Sequence, residues 1–121
     1  KADIHEMIIF EPAAKYHRPH KHFKKGEAFH IIEGKLGILI FADDGDVIDQ
    51  CILETSNTLI YKVSANTYHV TLPLSEYVIF QETKLGPFEG EHENVFPDWA
   101  PDGSLEHDVK AYVTKLKSYL E

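Results

Sequence analysis

Short apolar runs with turn chemistry between them fill the chain from residue 7 to residue 81, and they leave little choice of fold. The runs lie at 7–10, 28–32, 35–41, 47–53, 59–63, 68–72 and 77–81, and most are rich in β-branched and aromatic residues. Each is too short for a stable helix and of ordinary length for a strand. Glu33-Gly34 reads as the hairpin turn between the second and third runs, and Asp44-Gly45 as the turn after the third. Glycine takes the positive φ of such a turn without a Cβ penalty. Strands that recur every ~8–12 residues with turns between them predict an antiparallel sandwich or barrel.

The pattern changes near the end. Residues 86–103 hold Pro87, Pro97 and Pro101 and read as an irregular segment packed by Phe88, Phe96 and Trp99. Leu105, Val109, Tyr112, Val113, Leu116 and Leu120 then recur at spacings of three and four, which is one face of a helix. Ser104 or Asp102 is placed to cap it. The expected organisation is a β unit over residues 1–103 and a helix over 104–121 packed on the same domain. A chain of 121 residues suffices for one core.

Twenty acidic against twelve basic residues give a net charge of −8. A field of that sign repels phosphate backbones, and no Lys/Arg stripe overrides it, so nucleic acid is not an expected partner. No apolar run approaches the roughly 18 residues of a membrane span, and no secretory signal is visible. The expected location is the cytoplasm. Cys51 is the single cysteine, which excludes an intrachain disulfide, and its apolar neighbours make it a small buried hydrophobe. Arg18, Lys21, Lys24 and Lys25 form a short basic cluster, read either as the rim of a site for an anionic small molecule or as solvated surface.

Eight histidines are present, three of them within six residues: His17, His20 and His22. A histidine-rich polar loop is the plain reading. Against it stands the joint arrangement. On a strand, side chains alternate with period two, so His20 and His22 share a face. Glu27 follows five residues later, and His69 lies far along the chain in another strand-like run. Three imidazole nitrogens and one carboxylate oxygen suit one divalent ion of iron, manganese, nickel, copper or zinc. His17 is read as lying outside that set. His30, three residues after Glu27, falls on the opposite face and is expected to be packed or hydrogen-bonded; His5, His92 and His107 read as surface residues. Tyr16, Phe29, Tyr68, Phe80 and Glu82 are candidates to line a cavity, with core packing as the competing reading.

His20-x-His22-x4-Glu27-x6-Gly34 resembles the first motif of the cupin superfamily. The second motif keeps its histidine as His69, with Asn66 in place of a glycine and Ser64 in place of a proline; Asn tolerates a left-handed backbone next best after glycine. More narrowly, residues 18–22, 27–36, 84–88 and 96–101 are similar to WbuC-type cupin metalloproteins, a group linked with bacterial surface-polysaccharide gene clusters. The resemblance implies an all-β antiparallel jelly-roll barrel with a C-terminal helix, a homodimer, and a metal held by His20, His22, Glu27 and His69. Arg18, Phe29, Tyr68 and Glu82 are the residues expected to meet a small anionic or sugar-derived ligand. Three functions compete: a metal-dependent isomerase or epimerase acting on a sugar or nucleotide-sugar intermediate, a non-catalytic sugar or small-acid binding module, and an Fe(II)-dependent dioxygenase.

Overall fold

The computed structural model describes residues 3–85 and 94–121, so Phe88 and His92 lie outside the described residues. Seven strands precede one helix: β1 (Ile4–Pro12), β2 (Glu27–Glu33), β3 (Leu36–Phe41), β4 (Val47–Leu53), β5 (Ile60–Val63), β6 (Tyr68–Pro73), β7 (Tyr77–Leu85) and α1 (Glu106–Ser118). They form a four-stranded sheet ordered β1-β7-β2-β5 and a three-stranded sheet ordered β4-β3-β6, all paired antiparallel. The expected all-β, cupin-like architecture with a C-terminal helix is present. It is a sandwich of two sheets that do not close into a barrel.

Period-two alternation explains how one strand serves two layers. β3 is buried at every position. Leu36, Ile38 and Ile40 join Phe29, Ile31, Val63, Val78 and Phe80 of the other sheet in the core between the layers. Leu39 and Phe41 point the other way, into a second cluster with Val70, Leu72, Leu116 and Leu120. The terminal helix therefore covers the outer face of the smaller sheet. Gly37 permits the approach, since a Cβ there would stand 2.4 Å from Leu120 Cδ1. Burying side chains of this size stabilises by ~1.5–3 kcal/mol each, so both clusters matter to the fold.

Four local expectations are corrected. β2 and β3 belong to different sheets, so Glu33-Gly34 is a crossing between layers and not a hairpin. Gly34 does take a positive φ of 89°. The helix is capped by neither Ser104 nor Asp102: Leu105 occupies the cap without a side-chain bond, and Asp102 Oδ1 instead accepts from the Ser104 amide. Leu105 is exposed, outside the helix's buried face. Cys51 is only half-buried, packed against the edge of the inter-sheet core, where burial first and the Asp49 charge second push its thiol pKa up. The β3–β4 turn at Asp44-Gly45 forms as expected, with Gly45 at φ 97°.

Candidate metal centre

His20 and His22 lie on an extended segment joined to the edge of the smaller sheet by one bridge, His20 to His69, and not on a full strand. The His20 amide donates to the His69 carbonyl at 3.1 Å and the His69 amide returns the bond at 2.9 Å. Lys21 makes the same reciprocal pair with Val95. The extended backbone keeps the alternation that sends His20 and His22 to one side, and pairing with β6 sets His69 beside them. The Asn66 amide donates to the His22 carbonyl at 2.6 Å, and Asn66 holds a left-handed φ of 58°. The residue standing where a glycine is usual thus adopts the conformation a glycine would serve.

One ligand atom from each of His20, His22, Glu27 and His69 lies within 4.8 Å of the others. A cation bonded at ~2.1 Å to several such atoms holds them roughly 3–4 Å apart, so a modest contraction suffices. His22, Glu27 and His69 are buried, and His20 is half-buried.

Hydrogen bonding decides which face each ring presents. His20 Nδ1 lies 3.1 Å from the Arg18 carbonyl and His69 Nδ1 2.9 Å from the Thr67 carbonyl. A carbonyl only accepts, so both Nδ1 atoms carry the proton, and in the neutral ring Nε2 is left with a lone pair. His69 Nε2 nevertheless sits against Glu27 Oε1, with neither atom in a hydrogen bond of acceptable geometry. Glu27 Oε1 also lies 3.4 Å from His22 Nε2. Two buried acceptors in contact repel unless a proton or a metal cation lies between them. This donor set fits a divalent transition metal.

The electrostatics agree in direction. Burial, then the neighbouring His69, push the His20 pKa down to about 4, which favours the neutral form a metal requires. Burial raises the Glu27 pKa, but His22 and His69 outweigh it and hold the carboxyl well below its usual range. Burial, and then the Glu27 charge, push the Glu82 pKa up to about 7.

A 160 Å³ cavity opens beside the cluster, lined by Ile9, Glu11, His17, His20, Phe29, His69, Thr71, Phe80 and Glu82. Phe29 and Glu82 are therefore on its wall. Arg18, Tyr68 and Tyr16 are not among its lining residues. Arg18 donates to the Pro97 carbonyl at 2.7 Å and lies over the Phe96 ring, which ties down the segment carrying His20. Tyr68 packs edge-on to Trp99 in the helix-side cluster, with Lys21 Nζ over its ring. Arg18 and Lys21 thus make contacts within their own chain instead of forming a free cationic rim. Tyr16 donates to the Pro101 carbonyl. His30 and His107 are exposed and His5 is half-buried. Glu11 and His17 escaped the sequence reading as a pair; the signal was available, because Glu11 follows Ile9 by two residues on the inward face of β1.

The profile of a family described as a domain of unknown function (DUF6016) matches residues 1–53, which include His20, His22 and Glu27 but not His69. No curated protein matches the chain. Solved structures are similar in fold. The capsular polysaccharide assembling protein CapF from Staphylococcus aureus superposes with a TM-score of 0.60 at 16% identity, over 78% of this chain and 26% of CapF. The chain thus spans about a quarter of that protein's length. The WlaRB TDP-quinovose 3,4-ketoisomerase from Campylobacter jejuni gives 0.62 at 11% identity, over 76% of this chain and 68% of that one. A 3,4-ketoisomerase from Helicobacter canadensis gives 0.55 at 17%, over 74% and 66%. At such identities the superpositions establish the fold alone, a cupin-like β-sandwich, here with a His₃Glu cluster able to hold a metal ion.

Proposed function

We propose that this chain is a metal-dependent cupin acting on a sugar or nucleotide-sugar intermediate of bacterial surface-polysaccharide biosynthesis, by proton transfer of the isomerase or epimerase kind. One observation carries the reading. Glu27 Oε1 and His69 Nε2, buried and without hydrogen bonds, converge with His20 and His22 next to a cavity. Bound by these four residues, a zinc, iron, manganese or nickel ion supplies Lewis acidity that polarises a carbonyl or hydroxyl oxygen.

The chain's own residues set the rest. Ile9, Phe29 and Phe80 form an apolar wall that excludes water, while Thr71 and Glu82 add polar groups. At 160 Å³ the cavity is smaller than the ~300–1,000 Å³ typical of a drug-sized ligand, so it admits one sugar ring and leaves a nucleotide outside. The motif likeness to WbuC-type cupins and the named activities of WlaRB and the Helicobacter protein make nucleotide-linked keto sugars the first substrates to test. The motif likeness also supports a homodimer, and the cytoplasm is the compartment that supplies nucleotide sugars.

The test is turnover of such sugars by metal-loaded protein, followed by NMR, with chelated protein as control. Isomer formation that disappears on chelation and returns with metal supports the reading. Saturable binding without turnover, or oxygen uptake with Fe(II), overturns it in favour of a binding module or a dioxygenase.

A further inference from the structure

We infer that His17, oriented by Glu11, is the proton-transfer residue of this cavity, acting on the carbon beside the carbonyl of a bound keto sugar. The inference rests on the reaction class proposed above. It starts from a carboxylate the metal cluster does not use. Among the described residues the buried polar or charged side chains are Glu11, His22, Glu27 and His69. Three of them belong to the cluster. Glu11 does not.

An ionised carboxylate is costly to bury unless it is paired. Glu11 is 6% exposed, on the inward face of β1, and its partner is His17, whose Nε2 stands 2.6 Å from Glu11 Oε2. A carboxylate accepts, so His17 Nε2 donates and Nδ1 keeps the lone pair. Both residues line the cavity that His20 and His69 border, and neither is among the four converging donors. The His17 side chain is 32% exposed, which gives it access to solvent for proton exchange. A buried acid that orients a partly exposed imidazole over a cavity is the arrangement general base catalysis requires. His17 is the catalytic residue and Glu11 a positioning residue.

The step conserves atoms and electrons. His17 Nδ1 takes the proton from the carbon next to the carbonyl, and the C–H pair becomes a C=C bond. The carbonyl π pair moves to its oxygen, which takes up a proton from solvent, giving an enediol. The adjacent hydroxyl then loses its proton to solvent as it becomes the new carbonyl, and His17 returns its proton to the former carbonyl carbon. No oxidant or reductant is consumed.

Two measurements on the zinc-loaded full chain test this. Long-range ¹H–¹⁵N spectra without substrate are expected to show His17 protonated at Nε2, with that preference lost in Glu11→Ala; protonation at Nδ1 in the unsubstituted protein overturns the inference. The second follows deuterium uptake from D₂O into a TDP-linked 4-keto-6-deoxyhexose. His17→Gln is expected to lower the exchange rate ~100-fold or more with zinc content unchanged. Glu11→Gln should lower it less and shift the pH profile, and Glu11→Asp should recover part of the rate. Unchanged exchange in His17→Gln, or loss of zinc along with exchange, overturns the role of His17 while the proposed reaction stands. No exchange by the unsubstituted protein overturns both.

Discussion

Placing alanine at Gly34 and at Gly103 separates two costs that usually arrive together. Both glycines hold positive φ, 89° and 96°. At Gly103 a new Cβ meets nothing within 4 Å, so Gly103→Ala reads the backbone cost alone, ~1–2 kcal/mol. At Gly34 the Cβ would stand 2.5 Å from the Tyr77 carbonyl oxygen and 2.7 Å from Ser75 Oγ. The Tyr77 oxygen is backbone at the start of β7, and Ser75 Oγ is held by the Lys35 amide and the Tyr77 carbonyl, so neither moves freely. Such overpacking adds ~1–3 kcal/mol, which puts Gly34→Ala at ~2–5 kcal/mol. Urea unfolding with a common m-value is the assay, and since domains of this kind hold ~5–15 kcal/mol in total, losses of this size shift the midpoint by a large fraction of its value. The discriminating variant is Gly34→Asn. A hairpin turn accepts Asn with little loss, whereas the crossing between sheets predicts a loss close to that of Gly34→Ala. If Gly34→Ala costs no more than Gly103→Ala, or if Asn restores glycine-like stability, the steric argument fails.

Leu116→Ala should destabilise by ~2–5 kcal/mol in the same assay, since that side chain is 1% exposed beneath the helix. A loss below ~1 kcal/mol would mean that α1 does not seal the smaller sheet. In metal-free protein, Glu82 has a folded pKa of about 7, above the ordinary 4.5. Its stabilising contribution is therefore complete below pH 4.5 and is lost as pH rises through 7, by no more than ~3 kcal/mol. Denaturation of Glu82→Gln against pH should lack that decline; parallel curves would refute the shift. Asn66→Gly should leave stability and metal affinity within a few tenths of a kcal/mol, whereas Asn66→Val should cost ~1–2 kcal/mol and weaken metal binding. Equal behaviour of the two would detach the left-handed backbone from the site.

Several strands were legible because the apolar run alternates, or is wholly apolar where a strand is covered on both faces, as β3 is; the run 7–10 of β1 is wholly apolar although Met7, Ile8 and Phe10 are exposed. The convergence of His20, His22 and Glu27 could be read from spacing, since an extended backbone gives period two with or without a full strand. Asn66 was readable from the motif likeness, since it stands where a glycine is usual and Asn tolerates the left-handed backbone it adopts. The partition of strands between sheets was not. Glu33-Gly34 carries identical turn chemistry in a hairpin and in a crossing, and the groups that decide between them, Ser75 and the Tyr77 carbonyl, lie some forty residues downstream. The contacts of Arg18 and Tyr68 were not legible, because a cation and an aromatic near a site have competing partners, here Pro97, Phe96 and Trp99, which spacing does not reveal. The link between His17 and Glu11 was missed because metal-ligand spacing asks only which residues share an ion, not which buried acid lacks one.

Metal stoichiometry tests the whole account most directly. Protein purified from metal-replete cells should carry close to one divalent transition-metal ion per chain by elemental analysis, and His20→Ala or His69→Ala should lose most of it while His30→Ala keeps it. A folded protein with no bound metal under those conditions, or equal metal content in all three variants, would contradict it.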